Sequence, residues 1–93
     1  MSPDIWSVGR TGVSHIRDEE LLKAFGRHLA KVRRRRKLTQ KQVAMDAELE
    51  ISQVSRMERG LINARLSSIA AVANALNVPL EDLFNFKITA TEE

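Results

Sequence analysis

Cysteine is absent from this chain, which excludes disulfide bonds, zinc–thiolate sites and thiol nucleophiles and fits a reducing cytoplasm. Histidine is scarce: His15 and His28 are the only imidazoles, too few donors for a metal centre, so neither metal nor cofactor is expected. Apolar runs stop after a few residues, far short of the ~20 that span a bilayer. The N-terminus also lacks the apolar core of a signal peptide. No membrane association is expected, and the cytoplasm is the expected location. The groupings that carry catalysis are missing too: no Ser-His-Asp set, no histidines paired at helical spacing, no HExxH and no glycine-rich phosphate loop. An enzyme is therefore not expected. With 93 residues one domain fits, near the lower end of what a hydrophobic core stabilises by itself.

What the chain does have is unevenly placed charge on a net of +3. Residues 21–45 carry Lys23, Arg27, Lys31, the run Arg33-Arg34-Arg35-Arg36-Lys37, and Lys41, with no acid among them. Acids gather at Asp18, Glu19 and Glu20, between 46 and 50, and at Glu81, Asp82, Glu92 and Glu93. A basic face on a mixed surface is the electrostatic footprint expected for a polyanion partner.

Residues 1–17 show neither helical nor strand period and contain Pro3, Gly9 and Gly12, so they are read as an N-terminal arm. Its Ile5, Trp6 and Ile16 either dock on the body or a second subunit, or belong to a partly disordered terminus. Residues 18–88 form the domain and 89–93 an acidic tail. Helix 1 starts near 18–20, where three acids suit the positive end of the helix dipole, and runs to about 36 with Leu22, Phe25, Leu29 and Val32 as its core stripe. Thr39 and Gln42 have capping-box spacing, which starts helix 2 at Gln40. Helix 2 ends near Ala47. Helix 3 covers about 51–59 and stops at Gly60 in a left-handed conformation. Leu66, Ile69, Val72, Ala73 and Leu76 recur at threes and fours and give helix 4, which begins after about Ser67, with Asn77 as its left-handed terminator. Pro79 at a first helical position gives a helix 5 over 79–84.

The decisive stretch is 39–60, TQKQVAMDAELEISQVSRMERG. Val43, Ala44 and Ala47 make one apolar face, Leu49 falls where a continuous helix could not use it, and Val54 with Met57 starts a second face. Two short helices joined by a tight turn satisfy this pattern, the layout of a helix-turn-helix, whose second helix is held outward to enter a DNA major groove. With Val54 and Met57 inward, the outer side of helix 3 holds Ser52, Ser55, Arg56 and Arg59, with Gln53 on the flank. Ser52, Gln53, Ser55 and Arg56 are the candidate base readers; Arg56 can present two parallel donors to guanine O6 and N7. An ordinary solvated helix face would also be polar. An RNA-binding reading of Arg33-Arg34-Arg35-Arg36-Lys37 is weakened because five successive helical residues point all around the axis, and because aromatics for base stacking are nearly absent.

Thr39-Gln40, Ala44, Val54-Ser55 and Glu58-Arg59-Gly60, with the amphipathic helix before them and GLINARLSSIAAVANALNVPLEDLF after, resemble the Cro and phage-repressor class of helix-turn-helix regulators, often called XRE-type. The resemblance covers roughly residues 20–86. It implies an all-α, compact five-helix domain of the lambda-repressor-like type and a sequence-specific transcriptional regulator, a repressor for instance, that binds double-stranded DNA. It places Gln40 where a glutamine contacts phosphate and braces the recognition helix; Lys41, Arg59 and the basic end of helix 1 are the other candidates for backbone contacts. It also suggests that Arg33 turns inward to pair with Glu58. Three positions depart from the family pattern: Glu48 and Lys37 stand where glycine is usual, and Glu50 replaces a small hydroxyl cap, which leaves either Ile51 or Ser52 as the first groove-facing residue.

Leu83, Phe84, Phe86 and Ile88 place more large apolar groups at one end than a small core absorbs, and they are read as a homodimer interface. The alternative is that the phenylalanines fold back on helices 1 and 4. A two-fold dimer would read a palindromic operator whose half-sites lie ~34 to 36 Å apart. A rival function is an antitoxin of the same fold that binds a toxin protein through the Trp6 arm or the Phe84, Phe86, Ile88 segment.

Overall fold

The computed structural model describes residues 17–88; the arm residues Ile5, Trp6 and Ile16 and the tail acids Glu92 and Glu93 lie outside them. Helix α1 (Glu19–Arg35) begins where the Asp18 carboxylate accepts the Leu21 N–H at 3.0 Å, with Glu19 and Glu20 in its first turn. A side-chain acceptor and negative charge thus meet the free amides of the helix start. Helix α2 (Gln40–Ala47) opens on a reciprocal cap: the Gln42 N–H donates to Thr39 Oγ1 at 3.0 Å, and the Thr39 N–H donates to Gln42 Oε1 at 2.8 Å. Helices α3 (Ile51–Glu58) and α4 (Leu66–Leu76) follow, and a 3-10 helix, Leu80–Phe84, closes the order.

The four α-helices among the described residues all end in the same way. A residue with positive φ sits just past each one, Lys37, Glu48, Gly60 and Asn77, and its N–H bonds back three residues. The next residue's N–H bonds back five, from Leu38 to Arg33, Leu49 to Ala44, Leu61 to Arg56 and Val78 to Ala73. This is the Schellman termination, in which an apolar residue after the left-handed one packs on the last turn. Leu38, Leu49 and Val78 pack against the core in this role. It explains why Leu49 is out of phase with both flanking helices: it serves the turn. Lys37 and Glu48 hold φ values of 61° and 60°, a geometry that disfavours an L-residue with a Cβ. Glu48→Gly is expected to raise stability in thermal melts by about 0.5 to 1 kcal/mol, the cost of the left-handed Cβ less the extra entropy of glycine. A loss of stability would contradict that account.

The core is made by Leu22, Phe25, Leu29 and Val32 of α1, Val43, Ala44 and Ala47 of α2, Val54 and Met57 of α3, and Ile69, Val72, Ala73 and Leu76 of α4. Helix α2 packs on α3 and α4, while α1 packs on α3 and on the 3-10 helix. Gly26 sets the closeness of the α1–α3 crossing. A Cβ there would meet the carbonyl oxygens of Met57 and Glu58, the second at 2.5 Å.

Two expectations need correction. Helix α4 starts at Leu66, and that residue is 66% exposed instead of part of the core stripe; at 100° per residue it lies at the edge of the face carried by Ile69, Val72 and Leu76. The fifth helix is a 3-10 segment, with Pro79 preceding it in extended geometry (φ −62°, ψ 149°) and the Asp82 N–H bonded to the Pro79 carbonyl at 3.0 Å. A piece of five residues gains too few i to i+4 bonds to favour the α form.

Candidate nucleic-acid interface

Helix α3 is anchored from beneath and open on its outer side. Val54 and Met57 are buried, whereas Arg56 and Arg59 are exposed, Ser52, Gln53 and Ser55 are half-buried, and Ile51, the first residue of α3, is 49% exposed. Both residues in question at the start of α3 are thus accessible. Gln53 has a second duty, since its Oε1 accepts the Glu50 N–H at 3.2 Å and caps the helix in place of a hydroxyl. Its carboxamide nitrogen remains the free donor. Arg59 Nε donates to the Ser55 carbonyl at 3.4 Å, which lays the guanidinium along the end of α3.

The orientation of α3 is fixed by a largely buried polar junction. Arg33 Nε and Nη2 donate to the two carboxylate oxygens of Glu58 at 2.5 and 3.0 Å, and Nη1 donates to the Leu38 carbonyl at 2.9 Å. The side chains are only 12% and 5% exposed. The bond to Glu58 holds the Arg33 guanidinium above its ordinary pKa against the opposing effect of burial. Gln40 Nε2 adds a third donor to Glu58 at 2.9 Å. Carboxylate Glu58 thus ties α1, the start of α2 and the end of α3 together. Gln40 and the exposed Lys41 stand at the first turn of α2, where free helix amides favour an anion. Gln40 also borders, with Ser55 and Arg59, an open groove between α1 and α3.

The chain's C-terminal aromatic cluster divides between core and surface. Leu83 is fully buried in its own chain, so it cannot present itself to a second copy, and its place among candidate interface residues is withdrawn. The 3-10 turn is what drives it inward. Phe86 is half-buried and folds back on α1, 6.2 Å from the Phe25 ring and 5.8 Å from His28. Phe84 lies 5.6 Å from Phe25 and is still 45% exposed. Ile88 is half-buried.

Sequence reading passed over Asn63, Arg65 and Ser68, which line a polar hollow beside Gln53 at the start of α4. A hydrogen-bonding Asn and an Arg in the link between two helices were the available signal. It also passed over Gly26, whose effect needs the partner helix in view. Among the described residues no group of His, Asp and Glu could hold a metal ion, and no helix is long and apolar enough to cross a membrane.

Comparison with known proteins agrees with this geometry. A helix-turn-helix domain family matches residues 24–84. An immunity repressor protein of Bacillus phage phi105 is 35% identical over 68 residues, covering 73% of this chain and 47% of the relative. The chain therefore spans about half the length of that curated relative. The restriction-modification controller protein C.AhdI from Aeromonas hydrophila superposes with a TM-score of 0.66 at 35% identity, over 70% of this chain and 97% of that one. A hypothetical transcription factor from Neisseria, NHTF, superposes with a TM-score of 0.67 at 26% identity, over 86% and 93%. Matched over most of its described residues, with α3 held outward by the Glu58 junction, the chain belongs to the Cro and phage-repressor class of helix-turn-helix proteins.

Proposed function

We propose that this chain is a transcriptional regulator of the cytoplasm that binds duplex DNA by sequence, with α3 in the major groove. The observation that carries the reading is the outer side of α3. Ser52, Ser55 and Arg56 face away from the core on a helix whose pitch is locked by Glu58, and Gln40, Lys41 and Arg59 flank them as donors for phosphate. Arg56 is the strongest base reader, because a bidentate guanidinium distinguishes guanine from the other bases in the major groove. Ser52 supplies an adaptable donor and acceptor, Gln53 its amide nitrogen, and the exposed Ile51 suits a thymine methyl group. Phosphate contacts by Gln40, Lys41 and Arg59 would set register and affinity without choosing sequence.

The proposal extends to a homodimer on a palindromic site, joined through the exposed part of Phe84 with Phe86 and Ile88. Phe84 is 45% exposed and borders the same apolar hollow as Leu21, itself 39% exposed. Apolar area of that kind is more often an association surface than a free one.

Two single substitutions separate base reading from backbone attraction. Arg56→Ala is expected to cost ~1 to 3 kcal/mol of binding and to relax preference at one base pair, whereas Lys41→Ala weakens all sequences alike and lowers the salt slope by about one. Titrations against specific and scrambled duplexes across a salt series measure both. Equal weakening of every sequence by Arg56→Ala would remove it as a base reader.

A further inference from the structure

Along α1, Arg27, Lys31, Arg34 and Arg35 fall on one face at spacings of four, three and one, all exposed. Together they form one wall of the groove whose other wall is Ser55 and Arg59 of α3. The single acid in its lining is Glu58, and that carboxylate is already engaged by Arg33 and Gln40. Among the described residues none of the four α1 cations makes a hydrogen bond or ion pair, and α1 has no acid beyond Glu20. Like charges at i and i+4, as in Arg27–Lys31 and Lys31–Arg35, oppose helix formation. The Arg27–Lys31 and Lys31–Arg35 repulsions therefore cost α1 stability, and among the described residues no acid pairs with these side chains.

We infer that this groove seats the sugar–phosphate backbone of duplex DNA flanking the base pairs that face α3, with Arg27, Lys31 and Arg34 as the contacting side chains. The inference rests on α3 being the base-reading helix. Its geometry comes from continuity: Gln40 at one end and Arg59 along one wall are the proposed phosphate contacts nearest α3, so a strand leaving them runs directly onto the α1 stripe. From Arg27 to Arg34 the helix rises about 10 Å, the axial length of about three nucleotides of one strand. Three cations over that length match one phosphate each. An ordinary solvated basic face would show the same exposure, but it would contribute no localised contact.

The test uses the full chain and two duplexes: one long, with a site recovered by selection at its centre, and one trimmed to the last specified base pair. For the Arg27→Ala, Lys31→Ala double variant, the salt slope on the long duplex is expected to flatten by about two and low-salt affinity to fall about tenfold. Affinity for the trimmed duplex stays that of the wild type. The Arg27→Lys, Lys31→Arg exchange keeps the wild-type slope. Lys23→Ala, Lys87→Ala removes the same charge from positions outside the groove and leaves the difference between the two duplexes intact. An unchanged slope in the double variant, an equal loss on the trimmed duplex, or an equal effect of the control pair overturns the inference. A wild-type chain that prefers no duplex sequence overturns the reading of α3 along with it. Folding is not at risk, since alanine favours helix at both positions and removes like-charge pairs, so the double variant should melt at or above the wild-type temperature.

Discussion

Removing either partner of the Arg33–Glu58 junction is expected to destabilise the fold by ~3 to 5 kcal/mol, because the survivor is left as an uncompensated charge in a site that is 12% or 5% exposed. In Arg33→Ala the Glu58 carboxylate retains only Gln40 Nε2. In Glu58→Ala the guanidinium retains only the Leu38 carbonyl. A domain of this size has a total stability of about 5 to 10 kcal/mol, so either variant stands near the edge of folding. Each kcal/mol should lower the melting temperature by about 4 to 8 °C. Arg34→Ala and Arg35→Ala, whose side chains are exposed, should change it little. The double variant Arg33→Ala, Glu58→Ala should lose less than the sum of the single losses, since neither charge is then stranded. Four equal melting temperatures would show that the junction contributes nothing to the fold.

Gly26→Ala is the second large effect, and its sign is opposite to what helix propensity suggests. In an exposed helix interior, replacing glycine by alanine stabilises by about 1 kcal/mol. Here the added methyl would press on the backbone oxygens of Met57 and Glu58, and a carbonyl in the last turn of α3 cannot swing aside as a side-chain tip can. The α1–α3 crossing must open. That displaces Glu58 from Arg33 as well, so a net loss of about 1 to 3 kcal/mol is expected, the usual range for overpacking. A thermal melt of Gly26→Ala decides it, and a higher midpoint would mean that the two helices tolerate separation.

The sequence made the helices legible because each apolar face has a period and each end a chemical signal. Thr39 with Gln42, Gly60 and Asn77 marked ends that the structure places within a residue of where periodicity put them. Leu49 was legible as a break, though its packing role emerged only with the left-handed Glu48 in view. Tertiary approach was not legible. A lone Gly26 carries no pattern, and Gln53 reads equally as a base reader or a cap until the Glu50 N–H is placed beside it. Leu83 and Phe84 are sequence neighbours of similar character, yet one is buried and the other exposed; a 3-10 turn of five residues has no periodicity from which to tell them apart. The groove joins residues of α1 and α3 some thirty positions apart, and within α1 alone its cations read as a solvated face.

Base reading by α3 is tested most directly by selecting sites from random duplex DNA with the wild-type chain and with Arg56→Ala in parallel. The account predicts one recurrent site for the wild type, and for Arg56→Ala the same site with a single base pair relaxed, a guanine lost from its preferred strand. A wild-type pool with no enriched sequence, or an Arg56→Ala pool with the wild-type preference intact at every position, would contradict it.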